Sequence, residues 1–286
     1  MLTLGIIGAE NSHSYNIAKT CNIDKSVPMR VPLIWGETAK FARHAAELGK
    51  IAGIVKDWRE LTGKVDGIMI DHRHPAPHFE VARFFIEKRV PLFVDKPFTY
   101  RLRHGKELLD LARRKRVPIC TFSSIPLQTA FQRFKKKLTK SGTIRAVNST
   151  GPVDLKTKYG GIFFYGIHQV DGIVELLGTD VKSVFVHKHL PNGVATLLFR
   201  SGAVATINCI KEGGGFHWMA DTDKGILTQA HEYVAEPYRS SARIIYNLLK
   251  TKKNPFARER MLAPVAILEA LEKSIKTGRP AWVAEF

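Results

Sequence analysis

Short apolar runs alternate with helix-like stretches through the N-terminal part of the chain, and this alternation constrains the fold more than any other feature. Strands that must all start in the same direction need a crossover between them, so the pattern predicts a parallel sheet with helices on both faces. Leu2–Ile7 reads as a strand, Ser12–Cys21 as a helix, Val31–Trp35 as a second strand and Thr38–Leu48 as a second helix. Ile51–Val55 and Val65–Ile70 follow as strands. The helix Pro77–Lys88 then places Phe79, Ala82, Phe85 and Ile86 on its apolar side. Strand Leu92–Val94, helix Arg103–Lys115 and strand Pro118–Phe122 complete the series. Right-handed crossovers make this a doubly wound, Rossmann-type α/β domain over residues 1–123.

Beyond Ser123 the texture changes. The amphipathic stretch Leu127–Leu138 leads to a strand at Thr143–Ser149, and the segment KYGGIFFYGIHQVDGIVELLG turns helical up to Gly178. The runs Val181–His187, Val194–Phe199, Val204–Ile210, Phe216–Ala220 and Ile226–Ala230 follow, with hairpin turns at LPNG and RSGA. Residues 124–286 are therefore expected to form an α+β domain with an open antiparallel sheet. Helices around Ala242–Lys250 and Arg258–Lys276 close the chain, the last placed to pack back on the first domain.

The formal net charge of +18 is the extreme value in the composition. It favours anionic partners, yet the basic runs ARRKR (Ala112–Arg116) and RFKKK (Arg133–Lys137) lie on stretches with helical apolar spacing. They are read as solvated helix faces and not as a nucleic-acid groove, since no nucleic-acid module signature accompanies them. The three cysteines, Cys21, Cys120 and Cys209, are widely spaced and odd in number, which fits free thiols in a reducing compartment. No apolar run is long enough for a membrane span, and a strand starting at Leu2 leaves no room for a secretory signal. The expectation is a cytoplasmic protein.

The first strand ends in GAENSH, Gly8–Ala9–Glu10–Asn11–Ser12–His13. Against the dinucleotide fingerprint G-x-G-x-x-G, Gly8 supplies the tight turn, while Glu10 and His13 replace the other two glycines. A carboxylate at Glu10 would repel a diphosphate unless turned outward. Asn11 and Ser12 are N-cap residue types, the helix N-terminus offers amide donors, and a protonated His13 would offset phosphate charge. At the end of the second strand, Glu37 is placed either to accept ribose hydroxyls or simply to favour a helix N-terminus. In DHRH, Asp71, His72 and the two residues after them form either a polar loop or an anion-facing edge. No paired Cys or Glu spacing completes a metal site there. Lys96, directly before Pro97, stands at a carboxyl strand end, where open α/β sheets bind ligands. His168 and Asp171 lie three apart at the start of a helix. His217 and Trp218, after a glycine turn, are candidates for lining a pocket.

In this order the motifs resemble the glucose–fructose oxidoreductase and inositol dehydrogenase (Gfo/Idh/MocA) family over nearly the whole chain. Pro75 and His78 match its proline–histidine loop, and Asp95–Lys96–Pro97 matches its EKP motif with Asp for Glu. Gly160 and the run Gly166–Ile167–His168–Gln169–Val170–Asp171 match its GG…DxGxHxxD motif, and LEALEKSIKTGRPAWV resembles its closing helix and tail. The resemblance implies that Lys96 reaches the nicotinamide ribose and the reacting hydroxyl, and that His168 is the general acid/base. It implies cofactor contacts from Gly8 to His13 and from Glu37, Asp71, His72, His78, Asp95 and Lys96. Tyr159, Phe164, Tyr165 and His168 are implied on the substrate side. The motif's first aspartate falls on Phe164, whose ring cannot orient an imidazole as a carboxylate does.

The resemblance implies NAD or NADP as cofactor, a small carbinol substrate such as a sugar or polyol, and a homo-oligomer paired through the C-terminal sheet; the positive charge favours an anionic substrate. The alternative is a non-catalytic or repurposed member that binds a nucleotide or small anion, because two fingerprint glycines and the motif aspartate are replaced.

Overall fold

A computed structural model describes residues 1–232 and 236–286 of the protein. Residues 1–99, 103–122 and 236–261 cluster into one unit. Its elements are β1 (Leu2–Ile7), α1 (Ser12–Asn22), β2 (Met29–Trp35), α2 (Ala39–Gly49), β3 (Gly53–Ile54), a 3-10 turn at Trp58–Leu61, β4 (Gly67–Ile70), α3 (His78–Glu87), β5 (Leu92–Val94), α4 (Leu102–Lys115) and β6 (Ile119–Cys120). The strands lie in the order β3-β2-β1-β4-β5-β6 and every pair is parallel. This is the doubly wound order with its switch point between β1 and β4, where such sheets open a ligand crevice. The strands nearest the switch carry the core: Leu4, Ile6, Ile7, Ile68, Met69 and Ile70 are fully buried. The edge strands β3 and β6 shrink to two residues each, because a ladder with a neighbour on one side only frays first.

The chain returns to this unit after the second one. α7 (Arg239–Thr251) packs against α1 and β1, so a helix that sequence patterning leaves in the C-terminal half completes the N-terminal core. A cavity of about 580 Å³ lies at the amino-terminal strand ends, among Cys21, Val27, Met29 and Lys50. It is on the far side of the sheet from the crevice.

Residues 100–102, 123–232 and 262–286 form the second unit. It holds α5 (Thr129–Leu138), β7 (Ile144–Pro152), α6 (Ile162–Leu177), β8 (Val181–His189), β9 (Asn192–Phe199), β10 (Val204–Ile210), β11 (His217–Thr222), β12 (Gly225–Ala230), most of α8 (Arg258–Thr277) and β13 (Ala281–Trp282). The sheet order is β12-β11-β7-β10-β9-β8-β13. All neighbours are antiparallel except β7 and β10, which run parallel. The sheet is thus mixed. The β8-β9-β10 meander, entered through α6, lays its last strand beside β7 in the same direction, a pairing that local hairpin signals cannot reveal.

α5 and α6 cover one face of this sheet. Trp218 packs edge-on to Phe131 of α5, and a Cβ at Gly172 of α6 would lie 2.2 Å from the Trp218 ring. Trp218 is buried and His217 exposed, and both line a shallow pocket of about 250 Å³ between β11 and β12 with Asn148, Thr228 and Gln229. On the opposite face, Val194, Leu198, Val204, Met219 and Ile226 are exposed along β9 to β12.

The basic runs end α4 and α5, where Arg113, Arg114, Lys136 and Lys137 are solvated and suit the negative end of each helix dipole. Cys21, Cys120 and Cys209 are buried free thiols, and burial alone pushes Cys21 and Cys209 up to about 12. Among the described residues no helix is long and apolar enough to cross a membrane.

Candidate functional site

The crevice of the N-terminal unit is built from the carboxyl ends of β1, β2, β4 and β5. Gly8 leaves β1 with φ +108 while its N–H donates to the Trp35 carbonyl at 3.0 Å, tying the turn to β2. A Cβ there would sit 2.6 Å from the Asp71 carbonyl carbon, so only glycine lets this turn lie on the β4 end. The next two amides are already engaged. Ala9 N and Glu10 N donate to Glu37 Oε2 at 2.8 and 3.1 Å. The carboxylate at the loop amides is thus that of Glu37, reaching across from β2, while the Glu10 side chain is half-buried. Glu37 Oε1 is buried with no hydrogen-bond partner.

Asn11 occupies the N-cap position of α1, but its side chain does not cap the helix. Its Nδ2 donates instead to Asp71 Oδ1 at 2.9 Å and Asp95 Oδ2 at 3.1 Å, because two buried carboxyls nearby need a donor more than the helix end does. The amides at the start of α1, Ser12 and His13, are left without a side-chain cap, which suits an anion. His13 Nδ1 lies 3.0 Å from Asp95 Oδ1, and its ring meets Tyr238 edge-on at 5.3 Å. Lys96, only 5% exposed, places Nζ 3.7 Å from Asp95 Oδ2.

Asp71 and Asp95 are both buried and within hydrogen-bond reach of each other, yet they titrate in opposite directions. Burial and then the Asp95 charge push the Asp71 carboxyl well above the usual carboxylate range. Burial would also raise Asp95, but His13 and Lys96 beside it outweigh burial and hold it well below that range. The opposite shifts make Asp71 the member of the pair that takes up a proton first, and its Oδ2 is buried and meets no donor. His13, Asp71 and Asp95 bring ligand-type atoms within 4.8 Å of one another. Lys96 Nζ and the Asn11 amide already face these carboxyls.

The DHRH segment is not the polar loop expected from sequence at its start. Asp71 and His72 are buried, and burial pushes the His72 imidazole down to about 3, so it offers no positive charge to a ligand. His78 is fully buried. Its Nδ1 lies 3.0 Å from the Pro97 carbonyl and its Nε2 3.1 Å from the His72 carbonyl. Burial, the largest influence, lowers its pKa. His78 fastens the Asp95–Lys96–Pro97 segment to the end of β4.

The remaining candidates gather in the second unit. On α6, Phe164 meets Tyr165 at 4.7 Å and Tyr159 at 5.0 Å, and His168 meets Tyr165 at 5.5 Å. Phe216, which sequence patterning did not single out, meets the other side of His168 at 5.4 Å. Ser123 was also missed: its Oγ lies 2.7 Å from His168 Nδ1. Asp171 Oδ2 accepts from the Ser123 amide at 3.0 Å.

A parallel sheet in this order, with a glycine turn, an uncapped helix N-terminus and an acidic residue ending β2, defines a dinucleotide-binding Rossmann domain. Residues 2–122 match the sequence model of the GFO_IDH_MocA oxidoreductase family, NAD-binding Rossmann fold. The match covers the N-terminal domain, which is similar to the NAD-binding Rossmann fold of that oxidoreductase family. The uncharacterized oxidoreductase YhhX of Escherichia coli (strain K12) is 34% identical over 116 residues, a match spanning 37% of this chain and 33% of that protein. Among solved structures, the myo-inositol dehydrogenase of Lactobacillus casei, in complex with NAD(H) and myo-inositol, is similar with TM-score 0.86 at 13% identity, covering 100% of this chain and 98% of that one. An oxidoreductase of Agrobacterium radiobacter in complex with NAD+, L-tartaric acid and magnesium gives 0.81 at 15% identity, covering 99% and 98%. At these identities the two structures establish the shared fold.

Proposed function

We propose that the protein is an NAD-dependent oxidoreductase that moves a hydride between nicotinamide and a carbinol carbon of a sugar, polyol or related small substrate. The observation that carries this reading is Lys96, an ammonium buried against Asp95 at the carboxyl end of β5. A lysine in that place is suited to stabilise negative charge on a ligand oxygen. The crevice around it fits the dinucleotide. Glu37 Oε1, buried and unpartnered, accepts a ribose hydroxyl, and the start of α1 receives the diphosphate. The Glu37 carboxylate would repel a 2′-phosphate, which favours NAD over NADP. Bound nicotinamide supplies the hydride donor or acceptor. His168 is the group that moves the proton at the substrate oxygen, beside the rings of Tyr165 and Phe216, with Tyr159 and Phe164 continuing the aromatic cluster.

Titrating the protein with NADH and NADPH, followed by nicotinamide fluorescence and thermal midpoint, tests this reading. NADH is expected to bind at least tenfold more tightly than NADPH, and Lys96→Ala is expected to abolish turnover on a sugar and polyol panel. No binding of either cofactor at millimolar concentration would overturn the proposal. A second reading, a nucleotide- or anion-binding member without turnover, is favoured by Glu37 Oε2 holding the Ala9 and Glu10 amides that a diphosphate would otherwise use. Cofactor binding without turnover by the wild type would select it.

We also propose that the uncovered face of the C-terminal sheet pairs with a second copy. In register across the sheet, Val204 of β10 lies beside Leu198 of β9, with Met219 and Ile226 further along the same face. An apolar stripe of this kind marks an interaction surface. Light scattering on the purified protein is expected to give a dimer or a multiple of it, and Leu198→Lys with Ile226→Lys a monomer. A wild-type monomer at micromolar concentration would refute the pairing.

A further inference from the structure

The histidine that the proposed function uses stands on α6 one turn after Phe164, where the family motif has an aspartate. What holds the His168 ring in its place is visible in the second unit alone. Ser123 Oγ lies 2.7 Å from His168 Nδ1, with Ser123 1% and His168 5% exposed. The serine is itself fixed twice. Its backbone N–H donates to Asp171 Oδ2 at 3.0 Å, and its Oγ accepts the Ile125 N–H at 3.2 Å. Asp171 and His168 are three apart on the same helix, so one turn of α6 sets both the imidazole and the anchor of its partner.

We infer that Ser123 is the positioning residue of His168 and sets which ring nitrogen carries its proton, in the place of the absent motif aspartate. The inference rests on the reading of His168 as the proton-transfer group. A serine oxygen has one O–H and two lone pairs. The Ile125 N–H takes one lone pair, and the hydroxyl hydrogen, needing a buried acceptor, goes to Nδ1. The neutral imidazole therefore keeps its proton on Nε2 and presents a donor there, suited to polarising a ligand oxygen. When the ring takes up a second proton on Nδ1, the Ser123 hydroxyl hydrogen rotates away from the ring and Nδ1–H donates to the remaining lone pair of Oγ. A carboxylate would accept only, forcing the proton onto Nδ1 and favouring the imidazolium. Asp171 Oδ2 accepts from the Ser123 backbone, and Oγ is bridged between Ile125 and His168.

Long-range proton–nitrogen NMR on protein labelled with ¹⁵N-histidine reads the tautomer directly, with the His168 signals assigned by their loss in His168→Gln. The expected wild-type result is a protonated Nε2 and an unprotonated, accepting Nδ1. Ser123→Ala is expected to give a mixture of tautomers and Ser123→Thr to restore the wild-type form. With turnover, Ser123→Ala is expected to lower kcat about tenfold with KM little changed, and to move the pH profile. A wild-type ring protonated on Nδ1, or a tautomer unchanged in Ser123→Ala, would overturn the assignment. The wild-type spectrum decides the matter even where a variant fails to fold. It needs neither cofactor nor substrate, so it is separate from the reading it rests on: full turnover by His168→Gln would end that reading and leave the tautomer result standing.

Discussion

Gly8→Ala is expected to cost about 3 kcal/mol of stability and to abolish dinucleotide binding. Two effects add at this position. The residue has φ +108, where a side chain is strained, and its Cβ would meet the Asp71 carbonyl carbon at 2.6 Å and the His72 nitrogen at 2.7 Å. Backbone cannot swing aside as a side-chain tip can, so relief requires pulling the turn away from β4. That movement would break the Gly8 N–H bond to the Trp35 carbonyl and shift the amides that follow. Gly202 separates the two effects, since it has φ +92 and a Cβ there would meet nothing within 4 Å. Gly202→Ala should therefore cost only the conformational strain, about 1 kcal/mol. Urea denaturation of the two variants, with NADH titration of each, checks the pair. Equal costs would show that the close approach of Gly8 to β4 contributes nothing.

The same turn shows what a sequence can disclose and what it cannot. Gly8 after an apolar strand is legible because the constraint is local: a φ that only glycine adopts freely, at a fixed place in a strand-turn-helix unit. The alternation of strands and helices in the N-terminal unit is legible for the same reason, and β1, β2, β4 and β5 stand within a few residues of where the periodicity puts them. Pairings between distant segments are not written in local pattern. Nothing in the vicinity of Glu37 says that its carboxylate will reach back to Ala9 and Glu10, whereas the conflict is easily foreseen at Glu10, which lies inside the motif. His13 in a glycine position reads as a phosphate ligand until Asp95, 82 residues away, is seen beside it. Ser123 sits in an ordinary serine pair after a strand, and only the fold brings it to His168. The parallel pairing of β7 with β10 and the return of α7 to the first unit escape for this reason too.

The buried carboxyl pair gives the second large effect, because its two members should respond to the same substitution in opposite ways. Asp95→Asn removes the charge that faces Lys96 and His13, leaving a buried ammonium without its counter-ion, and is expected to cost about 3 kcal/mol at neutral pH. Asp71→Asn keeps the shape, retains a carbonyl for the Asn11 amide and supplies an N–H at the Oδ2 position, which meets no donor. It is expected to be neutral or stabilising at neutral pH. The pH dependence follows from the two directions of shift. Asp95, depressed in the folded protein, contributes stability that is present above its unfolded value near 3.8 and is lost as the pH falls through its folded value. Asp71, raised in the folded protein, contributes stability that is complete below that unfolded value and is lost as the pH rises through its folded value. Relative to wild type, Asp71→Asn should thus gain stability as the pH is raised from 4 to 8. Asp95→Asn should lose its disadvantage only in strong acid. Thermal midpoints of the three proteins across this range measure both trends. A parallel response of the two variants would mean that the two carboxyls are not shifted in opposite directions in the folded protein.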